Sequence, residues 1–205
     1  MPPFDVAAES LATNHYFDRQ FGISAVKILP GEYFVTNRDI LLVTTLGSCI
    51  AACIRDKVSG IGGINHFMLP DTGNDTSVPL SASARYGSYA MELLINELIK
   101  LGARRSNLQA KVFGGGNVLA NMTVTKVGSR NTAFALDYLA TEGIPIIGKD
   151  VLDEYPRKVY FFPKTGRAMI KKLRALRNDT VFVRESDYAK RISSVKEVSG
   201  DVELF

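Results

Sequence analysis

Two cysteines and two histidines, Cys49, Cys53, His15 and His66, hold the strongest nucleophile and base chemistry of this 205-residue chain. A thiolate attacks acyl carbons when a neighbouring imidazole can take the thiol proton. Cys49 follows Gly47 and Ser48 in an otherwise apolar run. Gly47 permits a tight turn, so the amide beside the sulfur can face a developing oxyanion instead of joining a sheet ladder. His15 lies in a weakly patterned opening, which leaves His66 as the supported base. If residues 50–54 and 61–69 form an antiparallel hairpin centred between Lys57 and Val58, Cys49 and His66 stand directly opposite, with Cβ atoms about 5 Å apart. A slip of one residue would put them on opposite faces. An imidazolium so placed would hold Cys49 below the ~8.5 of a free thiol. The competing roles are an inert buried cysteine and a histidine that satisfies a buried hydrogen bond.

Other chemistries fit the same residues poorly. On one straight strand the Cα atoms of Cys49 and Cys53 are about 13 Å apart, beyond the ~7 Å reach of a disulfide. The Cys and His residues are not closely paired, so no metal site is expected. The Gly114-Gly115-Gly116-Asn117 turn lacks the Lys-Ser/Thr of a P-loop and the spacing of a dinucleotide fingerprint. Close backbone packing beside an active site is its better use, and no cofactor is expected.

Strands and turns must position these groups. Residues 32–35, 40–54 and 61–69 read as strands separated by turn formers, and 109–113, 144–147 and 158–162 as further strands. Tyr86, Ala90, Leu93, Leu94, Leu98 and Leu101 recur near helical spacing before Gly102, and Asn131, Ala135 and Leu139 do so before Gly143. Residues 70–80 are crowded with turn formers and read as an exposed loop. The opening residues 1–24 read as a poorly anchored extension and residues 171–205 as a basic helix with a frayed tail, leaving 25–170 as the single core domain.

Composition is that of an ordinary globular protein, 46% hydrophobic and 22% charged. The run at 40–54 contains Thr44, Thr45, Gly47 and Ser48 and falls short of the ~18 apolar residues of a membrane span. The N-terminus has early acids and no signal-like apolar core, so the chain reads as cytoplasmic. The net charge of +4 is dispersed apart from Lys171, Lys172, Arg174 and Arg177, which suit a solvated helix face better than nucleic acid.

The segments LGSCIAACIRD (46–56), GGINHFMLPD (62–71), ARYGSYAMELLI (84–95), AKVFGGG (110–116), VGSRN (127–131) and FPKTG (162–166) occur in order. Through them the chain resembles the chemoreceptor glutamine deamidase family, CheD, over residues 31–166. The resemblance implies an α+β fold of packed β-sheets flanked by helices, similar to the catalytic domain of glutamine-deamidating bacterial toxins. It implies a protein-glutamine deamidase in which Cys49 is the nucleophile and His66 the base. In the family an upstream threonine orients the histidine. Val43 stands six residues before Cys49, with Thr44 and Thr45 beside it; a glycine turn one residue shorter selects Thr44, which is favoured, and straight strand alternation selects Thr45. Ser48, Asn65 and Gly115 are the candidate substrate contacts. The implied partner is the cytoplasmic helical region of methyl-accepting chemotaxis receptors, and a CheC-type phosphatase is left open as a second. A receptor methylesterase using the same cysteine and a non-catalytic adaptor are the competing functions.

Overall fold

The long apolar run at 40–54 does not form one strand. In the computed structural model, which describes residues 10–70, 80–117, 127–173 and 179–193, it breaks at 47–49 into β5 (Leu41–Leu46) and β6 (Ile50–Asp56). These two strands belong to different sheets, so Cys49 sits where the chain crosses from one sheet to the other.

A six-stranded sheet runs in the order β1 (Ser10–Leu11), β4 (Glu32–Thr36), β7 (Gly62–His66), β6, β8 (Leu108–Gly114) and β9 (Ile146–Val151). A five-stranded sheet runs β11 (Arg167–Lys172), β10 (Arg157–Phe162), β5, β3 (Ile23–Ile28) and β2 (Asn14–Asp18). Both mix parallel and antiparallel pairs, as β8 with β9 and β3 with β5 show. Helices α1 (Leu80–Lys100), α2 (Val127–Thr141) and α3 (Asp179–Ser193) complete an α+β architecture.

The two-residue period of a strand sorts side chains between two cores. Ile50, Ala52 and Ile54 of β6 face Met91, Leu94 and Leu98 of α1 and Ala135 and Leu139 of α2. Ala51 and Cys53 face the other way and meet Val26, Ile28, Leu42, Leu46, Val159 and Phe161 from the five-stranded sheet. Each Ile, Leu or Phe fully buried there contributes roughly 1.5–3 kcal/mol, so this packing holds the sheets face to face.

The chain termini depart from expectation. Residues 10–24 are not an unanchored extension: β1 pairs with β4, and β2 pairs with β3 through its full length. β2 is an edge strand that leaves Phe17 exposed, and so little burial gives only a faint apolar pattern. At the other end β11 crosses the expected boundary at 170/171, and Lys171 and Lys172 lie on this exposed edge strand, not on a helix. Basic residues suit such an edge because they discourage pairing with another chain. Arg174 and Arg177 lie outside the described residues, as does the loop expected at 70–80 except its two ends, Leu80 already being helical. Among the described residues no helix is long and apolar enough to cross a membrane.

Candidate active site

Strand alternation brings Thr44 and His66 together from opposite sheets. Leu42 and Leu46 of β5 point into the inter-sheet core, and Thr44 between them shares that face. On β7, Ile64 points into the same core and His66, two residues on, follows it. Cys49 is part of this core and fully buried. The face-sharing that a straight strand would give Thr45 therefore falls to Thr44, because the chain changes sheets before it reaches Cys49.

Hydrogen bonds assign the histidine tautomer. The Thr44 hydroxyl donates to the Ile28 carbonyl at 2.8 Å, and its oxygen lies 2.8 Å from His66 Nδ1. A hydroxyl has one proton to give, so Nδ1–H must donate to Thr44. His66 Nε2 is then the basic nitrogen, buried and without a hydrogen-bond partner. Cys49 Sγ, a His66 ring nitrogen and a carboxylate oxygen of Glu185, on α3, lie within 4.8 Å of one another.

The register that produces this differs from the one expected. β6 and β7 pair Cys53 with Ile64, and an isolated bridge joins Ile50 to Phe67, two residues away from a hairpin opposing Cys49 and His66. An even shift preserves the face, so the two residues become diagonal neighbours and still meet. Between these pairs the Ala52 N–H donates to Asn65 Oδ1 at 2.9 Å, while Asn65 Nδ2 donates to the Ala90 carbonyl at 3.1 Å. Asn65, an expected substrate contact, is thus committed to the α1 side of the sheet.

Residues 47–49 form a turn whose carbonyls are all tied back into the protein. The Gly116 N–H donates to the Gly47 carbonyl and the Gly115 N–H to the Cys49 carbonyl, both at 2.7 Å. Asn131 of α2 donates from Nδ2 to the Ser48 carbonyl and accepts the Leu69 N–H at Oδ1, each at 2.9 Å. Only glycine fits the contact behind the turn: a Cβ on Gly114 (φ 110°) would lie 2.2 Å from the Cys49 carbonyl, and one on Gly115 (φ 64°) 2.0 Å from Thr132 Oγ1. Gly115 acts on Cys49 from behind, through its backbone.

With their carbonyls turned inward, the amides of 47–49 converge on one point, which makes an anion-binding nest. Glu185 fills it. Its Oε1 accepts from Gly47 N–H at 2.7 Å and Cys49 N–H at 3.3 Å, and its Oε2 from Ser48 N–H at 2.7 Å and Ser48 Oγ at 2.8 Å. Of the expected substrate contacts, Ser48 is the one whose side chain stands beside Cys49 and Glu185.

Burial and the Glu185 carboxylate both push the Cys49 thiol well above its ordinary range. Burial drives His66 down to about 3, against the opposing pull of the Ile28 carbonyl. The pair beneath α3 is therefore a neutral thiol and a neutral imidazole, and not the thiolate–imidazolium pair that would hold Cys49 below a free thiol. Cys49, His66 and Glu185 are donor types that a zinc-like ion accepts. Each Glu185 oxygen already takes two hydrogen bonds, however, so the arrangement is that of oxyanion recognition. His15 lies apart, its ring edge-on to Phe34 at 5.6 Å, and both cysteines are free.

Two residues of the site, Asn131 and Glu185, are absent from the sequence-based candidates. Each was signalled by a polar side chain at the apolar spacing of a helix: Asn131 with Ala135 and Leu139, Glu185 with Val181, Tyr188 and Ile192.

Comparison with known proteins gives one consistent result. The family described as CheD chemotactic sensory transduction matches residues 68–172. The chain is 61% identical over 197 residues to the probable chemoreceptor glutamine deamidase CheD 1 of Dechloromonas aromatica (strain RCB), covering 96% of each chain. It is 61% identical over 199 residues to the probable chemoreceptor glutamine deamidase CheD of Methylobacillus flagellatus, covering 96% of this chain and 97% of that one. Against the protein of that name from Thiobacillus denitrificans the identity is 60% over 197 residues, or 96% and 97% of the two chains.

Proposed function

The chain belongs to the CheD family, and from that premise we propose that it deamidates glutamine side chains of chemoreceptors with Cys49 as nucleophile and His66 as general base. The observation that carries the assignment is the unpartnered Nε2 of a neutral His66, held beside Cys49 by the Thr44 hydrogen bond.

Nε2 takes the Cys49 proton as sulfur attacks the substrate carboxamide carbon. The carbonyl oxygen becomes an oxyanion, which the amides of 47–49 are preorganised to receive. His66, now an imidazolium, is stabilised by Thr44 and returns the proton to the departing ammonia, leaving a thioester. Water, deprotonated by the same nitrogen, releases glutamate. Ser48 Oγ, beside the nest, orients the carboxamide.

The substrate is the cytoplasmic helical region of methyl-accepting receptors, so the enzyme works in the cytoplasm. Each turnover places a negative charge where a neutral side chain stood, and repulsion between neighbouring helices then alters their packing.

Incubation with receptor cytoplasmic fragments should give a mass gain of ~1 Da per modified glutamine with release of ammonia, and none with Cys49→Ala. Methanol release from methylated fragments without that mass gain would identify a methylesterase instead. Binding with neither product would identify an adaptor.

A further inference from the structure

The amide nest beside Cys49 is filled by the chain's own C-terminal helix. Glu185 is 5% exposed, and its carboxylate accepts from the three amides of 47–49 and from Ser48 Oγ. A glutamate carboxylate is also the product that the proposed reaction leaves in this site. Both of its oxygens accept hydrogen bonds there, which the nitrogen of a carboxamide cannot do.

The rest of α3 docks through one stripe. Val181, Tyr188 and Ile192, at positions −4, +3 and +7 from Glu185, are buried, and Tyr188 and Ile192 join the inter-sheet core that contains Cys49. The Tyr188 hydroxyl lies 2.5 Å from that of Tyr86 on α1. Gly31 is open for the Tyr188 ring: a Cβ there would approach Tyr188 Cε2 to 2.7 Å. The surface around the nucleophile is thus shaped for a helix that crosses it with one side chain inserted.

We propose that α3 occupies in cis the groove that receives a helical substrate segment, with Glu185 standing in the position of the product glutamate. The inference rests on the deamidase reading and deepens it. A substrate helix must displace α3, and it presents its glutamine on the stripe that carries apolar residues at −4, +3 and +7. Until displacement, α3 excludes substrate and keeps Cys49 protonated.

The decisive variant is Glu185→Gln in the full chain, because it offers the enzyme its own substrate. Cys49 Sγ adds to the side-chain carboxamide carbon, ammonia leaves with the proton held by His66, and water cleaves the thioester to restore a glutamate. Peptide mass spectrometry should find residue 185 at least half converted, ~1 Da heavier, in Glu185→Gln and unconverted in Glu185→Gln combined with Cys49→Ala. A second variant, Glu185→Ala, should raise kcat/KM on receptor fragments by about tenfold or more and speed Cys49 alkylation, as the anchor of α3 is lost. An unconverted residue 185 in the Cys49-intact protein, while wild type deamidates receptor fragments, overturns the inference and leaves the function standing. Failure of wild type and both Glu185 variants to release ammonia from any fragment overturns the function itself.

Discussion

Thr44→Val removes one oxygen from the site and replaces it with a methyl of similar shape, in a strand that favours β-branched residues. Two partners lose their hydrogen bond: the Ile28 carbonyl and His66 Nδ1–H, both at 2.8 Å from the oxygen. His66 is 1% exposed, so water cannot readily replace the acceptor. In the ground state the bond is one between neutral groups, but once His66 has taken the Cys49 proton it becomes charge-assisted. Such a bond is worth about 1.5–3 kcal/mol. Since ~1.36 kcal/mol is a tenfold change in rate, kcat should fall roughly 10- to 150-fold. KM should move less than about threefold, because Thr44 lies behind His66 and away from the substrate. Thr44→Ser keeps the hydroxyl and should recover most of the rate. Ammonia release from receptor fragments, followed as full saturation curves, measures both constants. A kcat within twofold of wild type in Thr44→Val, or a larger loss in Thr45→Val, would refute the view that this bond holds the base.

Cys49→Ala should abolish turnover with an unchanged circular dichroism spectrum, whereas Cys53→Ala should retain most activity and cost about 1–2 kcal/mol in urea unfolding; the reverse outcome would move the nucleophile. Asn131→Ala leaves the Ser48 carbonyl and the Leu69 amide without their partner, and should cost about 2–4 kcal/mol of stability and lower kcat as the turn loosens, read from denaturant midpoints and saturation kinetics. His66 titrates near 3 in the folded chain and near 6.5 when unfolded, so between these values the unfolded state binds the extra proton. Its contribution to stability is fully present above about pH 6.5 and is lost as pH falls towards 3; His66→Gln should flatten the dependence of the unfolding midpoint over that window, and an unchanged slope would show that other groups set it.

Much of this site was legible in the sequence because local rules determine it. The Gly-Ser-Cys turn, the isolated His66 and the glycine run after β8 each impose a conformation or a chemistry that single residues announce. What hid was long-range. The apolar run at 40–54 gives no sign that its two halves enter different sheets, since β-branched and apolar residues suit a buried strand in either. The hairpin register depended on where the turn at Asp56 closes, and the Gly60 and Ile61 contacts to Asp56 move it by an even step that residue spacing could not foretell. Asn131 and Glu185 sit on helices far from Cys49 in the chain, and their roles exist only after those helices dock. β2 and the last two residues of β11, where the sequence suggests an extension and a helix, lie on edge strands that bury too little to leave a strong pattern.

The Thr44–His66 bond spans the gap between two sheets that also meet through packing, the turn at 47–49 and the ion pair of buried Arg157 on β10 with Asp150 on β9. It behaves as a gauge of their alignment: a slide of one sheet over the other by a fraction of an ångström stretches it at once, while a well-filled apolar core can absorb the same movement by rotamer changes. Variants repacked at Ile28, Leu46, Ile64 or Phe161 can therefore be as stable as the parent and still be slow enzymes. In a screen for hardier versions of this protein, melting temperature alone would select for a sandwich that is tight but misaligned. Pairing it with a rate measurement would reveal which cores keep the two sheets in step.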